Sequence, residues 1–240
     1  MRPTGEGLLP PAARFMAKHP PYQAFRFALC VRWRSGLSVL ARMLDAMLEE
    51  AWVYDELVRR MVETLHRGVD DLLRRAGVVL PPTVYVFAED LDPPFVCSVQ
   101  CRRFYRGADA AAAVAELGEL PSALAATRLL VAWEEQDLKL ALGLPADPDT
   151  TALVALDATL TDRTLHRRPF RLAGAVGGAS PGVVPEWGKL QRLVDPALPG
   201  PVARLLAVWR QWRNEDLNDT VIRLQTAGHR VGWADSYSSV

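Results

Sequence analysis

The chain has 240 residues, of which 50% are hydrophobic, and its 28 basic residues balance its 28 acidic ones. This length and hydrophobic content support a sizeable core and exclude a largely disordered chain. Zero net charge excludes a global field that attracts a polyanion, so nucleic-acid binding requires a local basic patch.

Cysteine content and hydrophobic patterning predict a cytoplasmic protein. The three cysteines are an odd number in a chain too large to need disulfides, which favours a reducing compartment. No run approaches the roughly 20 apolar residues of a membrane span, and the first residues lack the apolar core of a signal peptide, so we expect no membrane partner. Only three residues are lysine, and we interpret the excess of arginine and alanine as a bacterial-like genome composition.

The N-terminal region combines an irregular arm with a strand. Residues 1–23 contain five prolines and no lasting periodicity, which predicts a flexible proline-rich arm. Strict alternation over 25–34 then predicts a strand. Arg26, Arg32 and Arg34 share one face of that strand, opposite its aromatic residues.

A long amphipathic helix is predicted over 37–76, because apolar residues recur three and four positions apart and arginines follow acids by four positions on the other face. We expect a bend or break near 51–55, and we expect His66 to be solvated on the polar side. From Leu40 to Leu65 the apolar seam keeps a period of about 3.5 residues, as in a coiled coil. This period is compatible with a homodimer through the part of the helix that overhangs the sheet, whereas the width of the apolar stripe favours packing of most of the helix on the strands.

Further strands are predicted at 84–88, 95–105 and 128–133, with a helix at 108–117. The resulting order, strand, helix, strand, strand, helix, strand, is that of a ferredoxin-like βαββαβ start. Residues 152–161 and 164–172 predict a hairpin that adds two strands. The fold class is therefore predicted as α+β, with a mixed, largely antiparallel sheet of roughly six to eight strands.

The predicted domain organisation places an α+β core at 24–172. Residues 173–200 are rich in Gly and Pro and are predicted to form a loop or linker. A C-terminal helix begins near Pro201 and continues to about 227, with 214–219 as the segment where it can break. With its tail, the segment 201–240 is expected to pack on the core, so that the long helix and the C-terminal helix cover the sheet.

Carboxylates follow two of the predicted strands. Asp90 and Asp92 come after one strand, whereas Glu134 and Asp137 come after another and precede Lys139. If these strand ends are neighbours, the carboxylates bind Mg²⁺ and the lysine stabilises developing charge, as in a metal-dependent nuclease or phosphotransfer enzyme. Acidic residues also follow strands as ordinary solvated turns, which is the structural alternative.

Basic and aromatic residues are interleaved at the end of the strand that precedes the second helix. Cations beside exposed rings are typical of single-stranded nucleic-acid binding, whereas arginines paired with helix acids would only form a solvated face. The residues that we predict to bind a partner are Arg26, Arg32, Arg34, Arg102, Arg103 and Arg106.

These patterns favour a non-catalytic cytoplasmic binding or adaptor protein. It would act on an unknown protein partner through its arginines, its proline-rich arm or its helical overhang, and it would need no cofactor. Two alternatives stay open: a Mg²⁺-dependent enzyme that uses the carboxylates, and sequence-tolerant nucleic-acid binding.

Overall fold

The computed structural model describes residues 37–146, 151–173, 184–211 and 215–234, and it describes side chains in the first helix from residue 55 onward. The predicted proline-rich arm and the strand predicted over 25–34 lie outside the described residues. In chain order, the elements are α1 (Leu37–Ala76), β1 (Thr83–Phe87), β2 (Phe95–Gln100), α2 (Ala108–Glu116), α3 (Glu119–Ala123), β3 (Arg128–Glu134), α4 (Glu135–Ala141), β4 (Thr151–Thr159), β5 (Arg163–Ala173), β6 (Val184–Trp187), β7 (Gln191–Val194), α5 (Gly200–Arg210), α6 (Leu217–Ala227) and β8 (Arg230–Trp233).

Eight strands form one sheet in the order β6-β5-β4-β3-β1-β2-β8, with β7 also paired to β5. Every described pair of neighbouring strands is antiparallel. The predicted α+β class with a largely antiparallel sheet is therefore confirmed.

The ferredoxin-like start is not confirmed by the strand order. Strand β1 lies between β2 and β3 and is antiparallel to both, so β2 and β3 run parallel with one strand between them. Helices α2 and α3 connect these two parallel strands, which makes a split βαβ unit. The strand in the middle is the one that follows the long helix, whereas the predicted order begins with a strand before that helix.

Helix α1 runs without a break from Leu37 to Ala76, so the break that we gave as one alternative near 51–55 does not occur. At 1.5 Å per residue this helix is about 60 Å long. Within its described part, the buried apolar residues follow helical spacing and pack against one face of the sheet. They are Val58, Val62, Leu65, Val69 and Leu73.

The other face of the sheet is covered by helices α2 to α6. Along β3, Leu129 and Val131 belong to the core beneath these helices, whereas Leu130 and Ala132 belong to the core beneath α1. All residues of β3 are buried. The sheet is thus the middle layer of three, with a long helix on one side and shorter helices on the other.

The segment 173–200, predicted as a loop or linker, contributes β6 and β7 to the sheet. Both strands lie along the free edge of β5, and the Gly188 N–H between them donates to the Pro169 carbonyl at 2.8 Å. Every residue of β7 is exposed, so this strand lacks the apolar alternation that identifies strands in a sequence. Within the predicted C-terminal helix, α5 ends at Arg210 and α6 begins at Leu217, inside the segment 214–219 where the sequence indicates a break.

A buried arginine connects the sheet to α1. Arg128 is 8% exposed, and its Nε and Nη2 atoms donate to the two carboxylate oxygens of Asp157 at 2.7 and 2.6 Å. Its Nη2 also lies 3.2 Å from Asp55, whose side chain is 75% exposed. Burial lowers the pKa of Arg128, but its hydrogen bonds to Asp157 and Asp55 outweigh burial and raise that pKa overall.

These two partners of one guanidinium should differ in their contribution to stability. We expect Asp157→Ala to lower the free energy of unfolding by about 3–5 kcal/mol, because it leaves a buried charge unpaired. Asp55→Ala should cost less than about 1 kcal/mol, because the Asp55 carboxylate is itself largely solvated. Urea unfolding followed by circular dichroism measures both, and equal losses would contradict this assignment.

Candidate binding site

The segment 101–107 connects β2 to α2 and is held at both ends by backbone hydrogen bonds. The Cys101 N–H donates to the Pro82 carbonyl at 2.8 Å, and the Gly107 N–H donates to the Ala141 carbonyl at 2.7 Å. Gly107 has a φ of +87°, a conformation that favours glycine because it has no Cβ. We call this segment the 101–107 loop.

Arg102 points into the protein, with 16% of its side chain exposed. Its Nη2 donates to Asp109 at 2.7 Å, and its Nε donates to Glu116 at 3.2 Å. These two carboxylates belong to α2, and their hydrogen bonds raise the pKa of Arg102, chiefly through Asp109. Arg102, which we predicted to bind a partner, therefore fastens the loop to α2.

His229 lies under the loop at the junction of α6 and β8 and is buried. Its Nδ1 accepts the Arg102 backbone N–H at 3.3 Å. Its proton is therefore on Nε2, which lies 2.9 Å from Glu116. Burial raises the pKa of Glu116, but the hydrogen bonds from His229 and Arg102 outweigh it and hold that pKa below its usual value.

The same network fixes the backbone at the tip of the loop. The Tyr105 N–H donates to the second oxygen of Asp109 at 2.7 Å. The hydrogen bond from Arg102, followed by this one, lowers the pKa of Asp109, which keeps it ionised. Phe104 packs partly buried against the core, so the loop is anchored on either side of Arg103.

Three side chains of the loop remain outside the network. The Tyr105 side chain is 86% exposed, and Arg103 and Arg106 are exposed on either side of it. Neither arginine has an ion-pair partner among the described residues. We call Arg103, Tyr105 and Arg106 the 103–106 surface. Tyrosine and arginine are the residue types that most often dominate binding energy at protein interfaces.

Of the predicted binding residues, the structure thus exposes Arg103 and Arg106 and turns Arg102 inward. Arg26, Arg32 and Arg34 lie outside the described residues. The anchoring groups Asp109, Glu116 and His229 were not identified from the sequence. Asp109 lies in the first turn of the helix that follows the loop, so its closeness to Arg102 is visible in the sequence. His229 is 127 positions from Arg102, so no local pattern connects the two residues.

The carboxylates predicted to bind Mg²⁺ are not brought together. In the antiparallel pair of β1 and β3, Phe87 lies opposite Arg128 and Thr83 lies opposite Ala132. Asp90 and Asp92 therefore follow β1 at the end where β3 begins, whereas Glu134 lies at the other end of β3. At the rise of a strand these ends are about 20 Å apart, and one cation binds oxygens within about 2.6 Å.

Glu134 and Lys139 have structural partners instead. The Glu134 carboxylate accepts the Gln136 and Asp137 N–H groups at 2.8 and 2.5 Å and so caps α4, while burial raises its pKa. Lys139 pairs with Glu135 at 2.9 Å. Within the described ranges, no group of three or more His, Cys, Asp or Glu side chains is arranged to hold a metal ion.

Comparison with family models, curated proteins and solved structures finds no match to this chain. In the part of the chain that the structure describes, no helix combines the length and the apolar character needed to cross a bilayer. The chemistry of the candidate site therefore follows from the residues and geometry of this chain alone.

The network beneath the loop predicts a pH dependence of stability. Because the pKa of Glu116 is lowered in the folded state, its contribution is present above the usual glutamate value and is lost as pH falls through the folded value. At neutral pH we expect Glu116→Gln to lower the melting temperature by about 2–4 °C. This difference should close as the pH falls through the lowered folded-state pKa of Glu116, where the native glutamate also becomes neutral.

Thermal unfolding of wild type and Glu116→Gln across this pH range measures the effect. Asp90→Asn, at an exposed turn position after β1, is the matched control for removing one carboxylate. A difference between wild type and Glu116→Gln that stays constant with pH would show that the charge of Glu116 does not hold the loop.

Proposed function

We propose that this protein is a non-catalytic binding protein that recognises an acidic segment of a protein partner through the 103–106 surface. The observation that carries the proposal is the exposure of Tyr105, at 86%, on a loop whose backbone is fixed by Asp109. A large aromatic ring held in water by a rigid backbone loses little entropy on binding. The amphipathic ring also provides a large contact area, and only two side-chain dihedral angles lose freedom when it binds.

The charge of the surface supports an acidic partner. Arg103 and Arg106 are exposed beside Tyr105 without ion-pair partners in the described structure. A guanidinium binds a carboxylate through two parallel hydrogen bonds, so two such groups favour an aspartate- or glutamate-rich segment. Because Arg102 is already paired with Asp109 and Glu116, it is not available to a partner.

The cytoplasm is the proposed location of this binding. Cys97 and Cys101 are free and buried, and burial raises the pKa of both thiols. Unpaired thiols in a chain of this size fit a reducing compartment.

The Mg²⁺-dependent enzyme, our alternative from the sequence, gains no support from the separated positions of Asp90, Asp92 and Glu134.

Sequence-tolerant binding of single-stranded nucleic acid is a second candidate for the same surface. A base can stack on the exposed ring of Tyr105 while Arg103 and Arg106 contact phosphates. Such binding weakens steeply as salt concentration rises, because counterions are released from the phosphates. An acidic protein segment with an apolar contact to Tyr105 should retain more of its affinity.

A photo-crosslinking amino acid tests the proposal directly. Benzoylphenylalanine replaces Tyr105 with another aromatic side chain, and the same group at the exposed Ile222 of α6 is the matched control. We expect a protein adduct from position 105 alone, reduced at least about tenfold by Arg103→Glu with Arg106→Glu. Adducts common to both positions would overturn the proposal. An adduct destroyed by nuclease would favour the nucleic-acid alternative.

With the captured partner purified, Tyr105→Ala should weaken binding by about 30-fold, the usual effect of removing an aromatic hot spot. Tyr105→Phe should recover most of this affinity, because the ring provides the contact area. Isothermal titration measures both, and Ile222→Ala should change the affinity less than about twofold. The melting temperature of Tyr105→Ala should stay unchanged, because the side chain is exposed.

The homodimer stays a separate proposal, supported by the seam of about 3.5-residue period from Leu40 to Leu65. Light scattering of the full chain should give twice the monomer mass. We expect Leu44→Asp, on this seam, to return the mass to that of a monomer. A monomeric mass for wild type at high concentration would contradict the dimer without affecting the 103–106 surface.

A further inference from the structure

A second polar site lies at the other end of the sheet from the 101–107 loop. Here α1, β5 and β6 line a groove of about 500 Å³ that is widely open to solvent, which we call the His66 cavity. Its lining combines an imidazole, an indole, two guanidinium groups and three carboxylates. These residues are His66, Trp187, Arg67, Arg168, Glu63, Asp70 and Asp71.

His66 is buried, contrary to the sequence-based expectation that it is solvated. It is 7% exposed, and its ring centroid lies 6.0 Å from that of Trp187 in the unpredicted strand β6. Its Nε2 atom is buried and has no hydrogen-bond partner. Buried polar atoms without partners are rare in proteins, and a bound water, ion or ligand is a common explanation.

The wall of the cavity beside His66 is held rigidly. The Trp187 Nε1 donates to Asp70 at 2.8 Å, and the Trp187 ring lies 4.8 Å from that of Phe170. The Arg168 guanidinium lies over the other part of this wall, 5.4 Å from the Trp187 ring centroid. An aromatic face and a stacked guanidinium therefore lie beside the His66 ring.

The lining holds three carboxylates and two guanidinium groups, and among the described residues only the carboxylates are in ion pairs. Each carboxylate in the lining is already paired with an arginine outside it. These pairs are Glu63 with Arg59, Asp70 with Arg74, and Asp71 with Arg75. In contrast, Arg168 donates to the Gly188 carbonyl at 3.4 Å and Arg67 to the Thr64 hydroxyl at 3.3 Å. Neither has a carboxylate partner among the described residues.

We propose that the His66 cavity binds a small molecule that carries a phosphate or carboxylate group. Arg168 and Arg67 neutralise its charge through their unpaired guanidinium groups, and Nε2–H of His66 donates the remaining hydrogen bond. Guanidinium groups match the geometry of both kinds of oxyanion. The cavity lies within the range of about 300–1,000 Å³ typical of small-molecule sites.

The protonation of His66 agrees with a role as a neutral donor. Burial, followed by the charges of Arg168 and His166, lowers the pKa of His66 to about 4, against a smaller opposing effect from Glu63. The ring is therefore neutral at physiological pH and carries one N–H. This site lies on different strands from the 103–106 surface, so its test is independent of the proposed partner.

Titration of the full chain with inorganic phosphate, and separately with citrate, tests this inference. Imidazole signals in proton–carbon NMR spectra report on His66, and His66→Asn assigns its signal. We expect a saturable shift of the His66 signal at millimolar or lower concentration with at least one anion. The anion that binds more tightly distinguishes a phosphate-bearing from a carboxylate-bearing ligand.

Arg168→Gln and Arg67→Gln should each weaken this binding at least about tenfold. Arg171→Gln, an exposed position on the same strand as Arg168, is the matched control and should bind like wild type. Arg67 is also exposed, so its variant keeps the fold even if Arg168→Gln does not. No shift of the His66 signal with either anion, or equal binding by Arg67→Gln and Arg171→Gln, would overturn the proposal.

Discussion

Burial of the central strands on both faces is the constraint on which the rest of this structure depends. Every residue of β3 is buried, and its neighbours β1 and β4 are buried at most positions. A sheet of this kind needs helical cover on each side, which α1 provides on one face and α2 to α6 provide on the other. A charge within such a layer must be paired, and Arg128 meets this condition through Asp157.

The same constraint decides where polar chemistry can occur. With both faces covered, solvent reaches functional groups mainly at strand ends and sheet edges. In an antiparallel sheet, successive strands end on opposite sides, so acids that follow β1 and β3 point away from each other along the strand axis. In parallel sheets the carboxyl ends collect at one side and build a common site. The carboxylate hypothesis assumed that geometry, and the antiparallel order does not provide it.

Local patterns in the sequence identified much of the fold. The helix over 37–76 has the predicted bounds because its apolar spacing, ion pairs and terminal Gly77 all lie within one segment. Strands β1 to β5 were recognised because at least one of their faces is buried. Strands β6 and β7 were missed because they lie at an exposed edge, where the pairing of Trp187 with Phe170 is set by tertiary contacts.

The candidate sites were only half visible for the same reason. The arginines and Tyr105 of the 101–107 loop are adjacent in sequence, so their clustering could be predicted. Arg102 points inward because it pairs with Asp109 and Glu116. Glu116 in turn bonds His229, far along the chain. Similarly, the environment of His66 depends on Trp187, whose partner Asp70 is 117 positions away. The sequence shows which chemical groups are present, but it does not show which of them are already paired with residues far along the chain.

The pairing of Arg102 shows how an ion pair within the protein determines which groups a surface exposes. Three arginines in one short loop repel each other, and without partners they would favour a spread of conformations. Burying one of them against Asp109 and Glu116 removes a repelling charge from the exposed side and ties the loop to α2. Because Asp109 also accepts the Tyr105 N–H, the carboxylate that neutralises Arg102 also fixes the backbone that carries the exposed ring. One half-buried carboxylate thus couples the charge of the loop to its shape.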